Sequence, residues 1–279
     1  MNLELLTRLI RTYLLLIFFA CIFVFPIIFM IISSLKPDYQ LLIDTSSMRA
    51  FLPVGDISLD NYFSAFRRAP IGLFIFNSIF ITATTLIFSL FLASIAAFSF
   101  VFIEWRGKAT VLAIIIATYI LPFETVAVPL LLMVNELPWL SREGVTWGWL
   151  NSYQVQIIPF LVRALEIFLF VQYFKDLPKD LIEAARVDGA SGIQSFWRIT
   201  FPLLMVSISP LLIGSFAFNF NNFTLIFLLS GGGPPVIGSE VAVGWTDILI
   251  SFTYKLAISG GRGNMFGLAS TVTIIVFGI

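Results

Sequence analysis

Asp176-Leu177-Pro178-Lys179-Asp180-Leu181-Ile182-Glu183-Ala184-Ala185-Arg186-Val187-Asp188-Gly189-Ala190-Ser191-Gly192-Ile193-Gln194 is a hydrophilic insert between two strongly apolar runs, roughly 156–174 and 202–230. Asp176 is a candidate N-cap, and Pro178 stands where a first helical turn tolerates a missing N–H. The following residues favour helix as far as Val187, about 11 residues or about 17 Å at the α-helical rise. Gly189 can adopt the left-handed conformation that ends a helix. Ser191 and Gln194 have the spacing of a capping box that starts a second one. The insert therefore reads as helix, glycine turn, helix. Small Ala184 and Ala185, flanked by charges, let another surface approach closely. A solvated loop is the plainer alternative.

The surroundings say what the insert emerges from. The chain has 279 residues, of which 59% are hydrophobic and 11% charged, with a mean hydropathy of +0.99. A soluble domain of this length needs more charge to cover its surface, so composition points to a polytopic membrane protein. The formal net charge is zero, which offers no basic face to nucleic acid. No histidine occurs, and Cys21 is the one cysteine. Zinc sites, histidine-based triads and intrachain disulfides are thereby excluded, and no convergent catalytic set is visible. Cys21 is expected to be buried as a small apolar residue.

A bilayer core of about 30 Å needs about 20 apolar residues in a helix. Six runs qualify or nearly do: roughly 12–35, 71–103, 110–134, 156–174, 202–230 and 263–279. They are too continuous for the alternation of a membrane β-barrel. The first follows Arg8 and Arg11 but lacks a small-x-small cleavage site with a soluble domain beyond, so it reads as a retained span. With a cytoplasmic N-terminus the inner segments carry eight Lys/Arg and the longer outer ones seven. Positive density is higher inside, which favours both termini in the cytoplasm. The expected fold is all-α with six transmembrane helices in one domain, 1–279, its loop at about 175–201. Pro122 is expected to kink the third span, and Trp139, Trp147 and Trp149 suit interfacial anchors.

Within the fifth span, Gly214 to Thr224 contains Ser215, Phe218, Asn219, Asn221 and Asn222. Asparagines at membrane depth are costly unless they meet a cavity or each other. Helical spacing puts Ser215, Phe218, Asn219 and Asn222 on one face. Amides and a hydroxyl beside an aromatic ring suit a sugar, with its many hydroxyls and one apolar face. Hydrogen-bonded glue between helices is the alternative. Glu124 inside the third span raises a different class, an ion-coupled secondary transporter. Arg163 and Glu166, three apart on the fourth span, can neutralise each other.

Glu183-Ala184-Ala185, three residues, Gly189, nine residues, Ile199, one residue, and Phe201-Pro202 resemble the EAA loop of binding-protein-dependent ABC importer permeases, with Phe201 in place of leucine. The resemblance implies the type I ABC importer permease fold and a bacterial inner-membrane location. It also implies that Glu183, Ala184, Ala185, Asp188 and Gly189 form the helix that seats in the ATPase. The run Ser215 to Phe223, Gly231-Gly232-Gly233-Pro234, Thr246 to Leu249 and Tyr254 to Ala257 resemble the larger permease of maltose-type importers. That resemblance implies Ser215, Phe218, Asn219 and Asn222 as sugar contacts. Ser34 to Pro37, Leu59 to Tyr62 and Leu121 to Pro129 resemble the smaller partner permease instead. At Leu161, Val162 and Leu165, two positions depart from the glycine and tyrosine of the larger one. The implied partners are a second permease subunit, a cytoplasmic ATPase dimer, an extracytoplasmic sugar-binding protein, membrane lipid and the sugar. The sequence has no Gly-x-x-x-x-Gly-Lys-Ser/Thr phosphate loop, so no cofactor is expected on this chain, and ATP with Mg belongs to the partner ATPase.

Overall fold

A computed structural model describes residues 3–141, 144–176, 184–185, 187–258 and 265–279, with side chains described except at 3–7, 123–124, 139–141, 144–146 and 225. The elements are helices α1 (Leu3–Ser34), α2 (Asp38–Asp44), α3 (Asp60–Arg68), α4 (Ile71–Phe102), α5 (Lys108–Thr118) and α6 (Phe123–Glu136), then a hairpin of β1 (Pro138–Ser141) and β2 (Gly144–Trp147). Helices α7 (Tyr153–Ile157), α8 (Ala164–Asp176), α9 (Gly192–Phe220), α10 (Phe223–Leu229), α11 (Leu249–Ile258) and α12 (Phe266–Gly278) follow. A π-helical stretch, Phe196–Thr200, lies inside α9. The chain forms two compact units, Met1–Ile75 with Pro235–Ile279, and Phe76–Pro234.

Among the described residues the expected apolar runs are largely helical, but only α1, α4 and α9 are long and apolar enough to cross a membrane unbroken. A fourth candidate is the pair Tyr153–Phe160 and Ala164–Asp176, bent by 41°. The expected span 110–134 is not a kinked rod. It stops at Thr118 and restarts after Pro122, whose ring cannot donate an N–H and which caps α6. The expected span 202–230 breaks at Asn221 and Asn222, between α9 and α10. Helix α11 lies in what reads as an outer connection; its ten residues are too short for a span criterion to notice.

In the first unit, the end of α1 is clamped by polar groups. Asn61 donates to the carbonyls of Ser34 and Lys36 at 3.0 and 2.8 Å, and the Gly267 N–H donates to Asp38 at 2.7 Å. A Cβ on Gly267 would meet the Lys36 carbonyl, so glycine permits that approach. Lys36 is fully buried, donating to Asp44 at 2.9 Å and to the Arg49 carbonyl at 2.7 Å. The hydrogen bond from Lys36 holds the Asp44 carboxyl below its usual pKa. Further along, buried Asp247 takes Lys255 at 2.7 Å, the Gly244 N–H at 2.7 Å and the Ser251 hydroxyl at 2.8 Å. Thr246 to Leu249 and Tyr254 to Ala257 thus contain an ion pair that fastens the preceding loop to α11. Cys21 is exposed on α1 rather than buried; α1 is apolar all round, so its sequence does not mark an inner face.

In the second unit, Ser78, Thr82, Thr85, Ser89, Ala93 and Ala97 recur every three or four residues along α4, and all are buried. Small side chains in this pattern let helices pack closely. At their C-terminal end Ala93 and Ala97 pack with Ile167, Phe170, Val171 and Phe174 of α8 and with Leu204 and Ile208 of α9. This core joins the start of the hydrophilic insert, the end of it, and the helix that carries the polar cluster.

Candidate functional site

The insert is built by local rules. Asp176 is helical, the last described residue of α8, rather than an N-cap. Glu183, Pro178 and Arg186 lie outside the described residues. Ala184, Ala185 and Val187 are helical, with the Asp188 N–H donating to the Ala184 carbonyl at 2.9 Å. Gly189 turns the chain at φ +80°, the left-handed region, and the Ala190 N–H returns to the Ala185 carbonyl at 2.9 Å. Ser191 then caps the next helix reciprocally: the Gln194 N–H donates to its hydroxyl at 3.2 Å, and its own N–H donates to the Gln194 side chain at 2.9 Å. Ala184, Asp188 and Gly189 are exposed and Ala185 is buried. Among the described residues, none beyond its chain neighbours comes within 4 Å of where a Gly189 Cβ would sit. Beside the turn, Ile95, Phe98, Ile193, Phe196 and Trp197 line an apolar groove of about 500 Å³.

The polar cluster sits where two helices break. In α9 its face grades from buried Ser215 through half-buried Asn219 to Phe218, whose residue surface stays 59% exposed. The Asn219 amide donates to the Ser215 carbonyl at 2.7 Å, and the Asn221 amide to the Ala217 carbonyl at 3.1 Å. Each returns to a carbonyl one turn back, and the Ala217 carbonyl also takes the Asn221 backbone N–H at 3.3 Å. Asn222 does not continue the face, because α9 ends at Phe220; its backbone N–H still reaches the Asn219 carbonyl at 3.3 Å. The cluster is thus partly bonded within its own helix, but among the described residues the Asn219 side chain uses only its N–H side.

The second break, at Leu161 to Arg163, separates the two halves of the bent pair. Arg163 donates to Glu166 at 3.3 Å, as their spacing suggested, and its guanidinium also lies 5.1 Å over the centroid of Phe218. The sequence pairs Arg163 with Glu166 but gives no sign of Phe218, which belongs to another helix. Interrupted backbone at membrane depth is tolerated where it is packed in protein or lines a watery cavity, which suits a pathway lining. Glu124 lies in α6, and its side chain is outside the described residues. Elsewhere in the same unit, Asn77 accepts from Tyr153 at 2.7 Å, and Gln156 donates to Ser230 at 3.2 Å. Gly233 passes so close to Asn151 that a side chain there would collide with it. Trp147 is exposed, and the Trp149 ring N–H donates to the Pro138 carbonyl at 3.2 Å.

Residues 86–279, which include the insert, both helix breaks and the buried Asp247–Lys255 pair, match the family described as binding-protein-dependent transport system inner membrane component. The chain belongs to that family. It is a membrane permease component of the binding-protein-dependent kind, with mostly helical architecture and several apolar helices. Similar family members include the maltose/maltodextrin transport system permease protein MalF of Vibrio vulnificus (strain YJ016), 35% identical over 222 residues, or 74% of this chain and 42% of that protein. The MalF of Vibrio parahaemolyticus serotype O3:K6 is 50% identical over 111 residues, 40% of this chain and 21% of that protein. The chain therefore spans less than half the length of the curated relatives it matches. A chain in the crystal structure of a bacterial ABC transporter involved in the import of the acidic polysaccharide alginate superposes with a TM-score of 0.77 at 20% identity, covering 99% of this chain and 93% of that one. That likeness is one of fold, and it gives this family member the ABC importer permease architecture. A second such structure, with an alginate pentasaccharide-bound periplasmic protein, superposes at 0.59 with 18% identity over 96% of this chain and 90% of its counterpart.

Proposed function

We propose that this chain is a permease subunit of an ATP-driven importer and lines the membrane path of an oligosaccharide, of the maltose/maltodextrin class or a related one. In this reading Ala184, Ala185, Asp188 and Gly189, with Glu183, seat in an ATPase subunit. Ser215, Phe218, Asn219 and Asn222 line the sugar path. A second permease completes the channel, a dimeric ATPase binds ATP and Mg, and an extracytoplasmic binding protein delivers the sugar. The observation that carries the reading is the exposed turn at Gly189, held between a helical end and a reciprocal cap inside the family-matching span. An exposed turn held by backbone and capping hydrogen bonds is suited to transmit the closure of a partner to the helices beside it. The names of the relatives support the sugar class, and the exposed ring of Phe218, next in the chain to Asn219, suits it chemically.

The test is reconstitution of the chain with its partner subunits in proteoliposomes, followed by uptake of labelled neutral oligosaccharides. Uptake that needs ATP and the binding protein is expected. Accumulation driven by an ion gradient without ATP would contradict the proposal.

A further inference from the structure

The break at Arg163 contains a charge arrangement that a simple neutralising pair does not explain. Among the described residues, the guanidinium makes one hydrogen bond, to Glu166 Oε1 at 3.3 Å, longer than the roughly 2.7–2.9 Å usual for such a charged pair. A guanidinium has about five N–H donors, so most of this one is unengaged. Its side chain is 24% exposed, whereas that of Glu166 is 3% exposed. The second carboxylate oxygen of Glu166, Oε2, is buried and meets no hydrogen-bond donor among the described residues. Neither residue has another ion-pair partner there. Glu166 thus depends on Arg163 for charge compensation, while Arg163 keeps donors to spare. Those donors lie beside the exposed ring of Phe218.

We propose that the Arg163–Glu166 pair selects for uncharged sugars: Arg163 donates to hydroxyl oxygens of a sugar lying against Phe218, and Glu166 makes the site reject sugars that carry a carboxylate. This rests on the reading of the chain as a sugar permease. A hydroxyl accepts hydrogen bonds from Arg163 without disturbing its pairing. A substrate carboxylate competes with Glu166 for the same guanidinium. It leaves one of the two anions in a low-dielectric site without full compensation, and such a charge is strongly disfavoured. Leu161, Val162 and Leu165 around the break offer no polar side chain, and the donor there comes from Arg163.

The complete transporter in lipid nanodiscs, without the binding protein and held with a non-hydrolysable ATP analogue, is dialysed against labelled maltotriose or a maltotriose ending in glucuronate. The wild type is expected to bind the neutral sugar at least ~10-fold better than the acid. Glu166→Gln leaves Arg163 unopposed and is expected to shift that ratio toward the acid by at least ~10-fold. Arg163→Gln is expected to weaken the neutral sugar without any gain for the acid. A general loss of structure lowers both affinities together and leaves the ratio in place. If Glu166→Gln does not fold, the double variant Arg163→Gln with Glu166→Gln removes both charges and is expected to lose the preference. The wild-type ratio persisting in whichever variant folds overturns the selectivity assignment and leaves the sugar reading standing. A wild type that binds neither sugar overturns both.

Discussion

The guanidinium of Arg163 lies 5.1 Å over the ring of Phe218, tying the break before α8 to the last turn of α9. Cation–π contacts of this kind contribute about 0.5–2 kcal/mol. Phe218→Ala removes the contact and the apolar surface together. Uptake is expected to fall by roughly 10-fold or more, while Phe218→Tyr, which keeps the ring, retains most of it. Initial uptake rates in proteoliposomes check this, with transporter assembly followed by gel filtration.

Asn219 holds the Ser215 carbonyl with its amide N–H and keeps its oxygen free of other described contacts. Asn219→Ala is expected to abolish most uptake with assembly intact. Asn219→Asp is a sharper probe, because it keeps an oxygen but loses the N–H to Ser215. Unchanged uptake by the alanine variant would make the residue helix glue alone.

The parts of this account that were legible in the sequence are those set by neighbours in the chain. Gly189 and the Ser191–Gln194 cap are local geometry, and both appear as their residue types and spacing predict. Pro122 announces an interruption, although not that the helix stops there. What needed the fold is what depends on distant partners. Lys36 looks like a loop cation until Asp44 and the Arg49 carbonyl enclose it. Asn222 falls on the face of Ser215 only if the helix continues, and it does not. Phe218 and Arg163 meet only because α8 and α9 pack on one core. Cys21 shows the opposite limit, since an apolar residue in an apolar helix carries no sign of which side is covered.

The Asp247–Lys255 pair provides a stability test. Lys255→Met strands a fully buried carboxylate that also accepts from Ser251 and the Gly244 N–H. A loss of roughly 3–5 kcal/mol is expected. The double variant Lys255→Met with Asp247→Asn is expected to recover part of it. Thermal unfolding in detergent, monitored by tryptophan fluorescence, measures the difference.

Asp44 gives a pH dependence. Its carboxyl is held below the usual value by the hydrogen bond from Lys36, so the folded state favours the ionised form. That stabilisation is fully present above the unfolded pKa of about 4 and is lost as pH falls through the lower folded value. Hydrogen exchange at Met48–Phe51, where Arg49 receives the same lysine, is expected to accelerate in that acidic window. Asp44→Asn is expected to show fast exchange at all pH values.

The central claim is that the Gly189 turn seats in an ATP-hydrolysing partner. Gly189→Ala keeps the turn small and adds backbone strain of roughly 1–2 kcal/mol. Gly189→Trp adds the same strain and a bulky ring on an open surface. The decisive measurement compares co-purification of the ATPase and ATP-driven uptake for these two variants. Gly189→Ala is expected to retain the partner and measurable uptake, while Gly189→Trp is expected to lose both. Wild-type uptake by Gly189→Trp would contradict the claim.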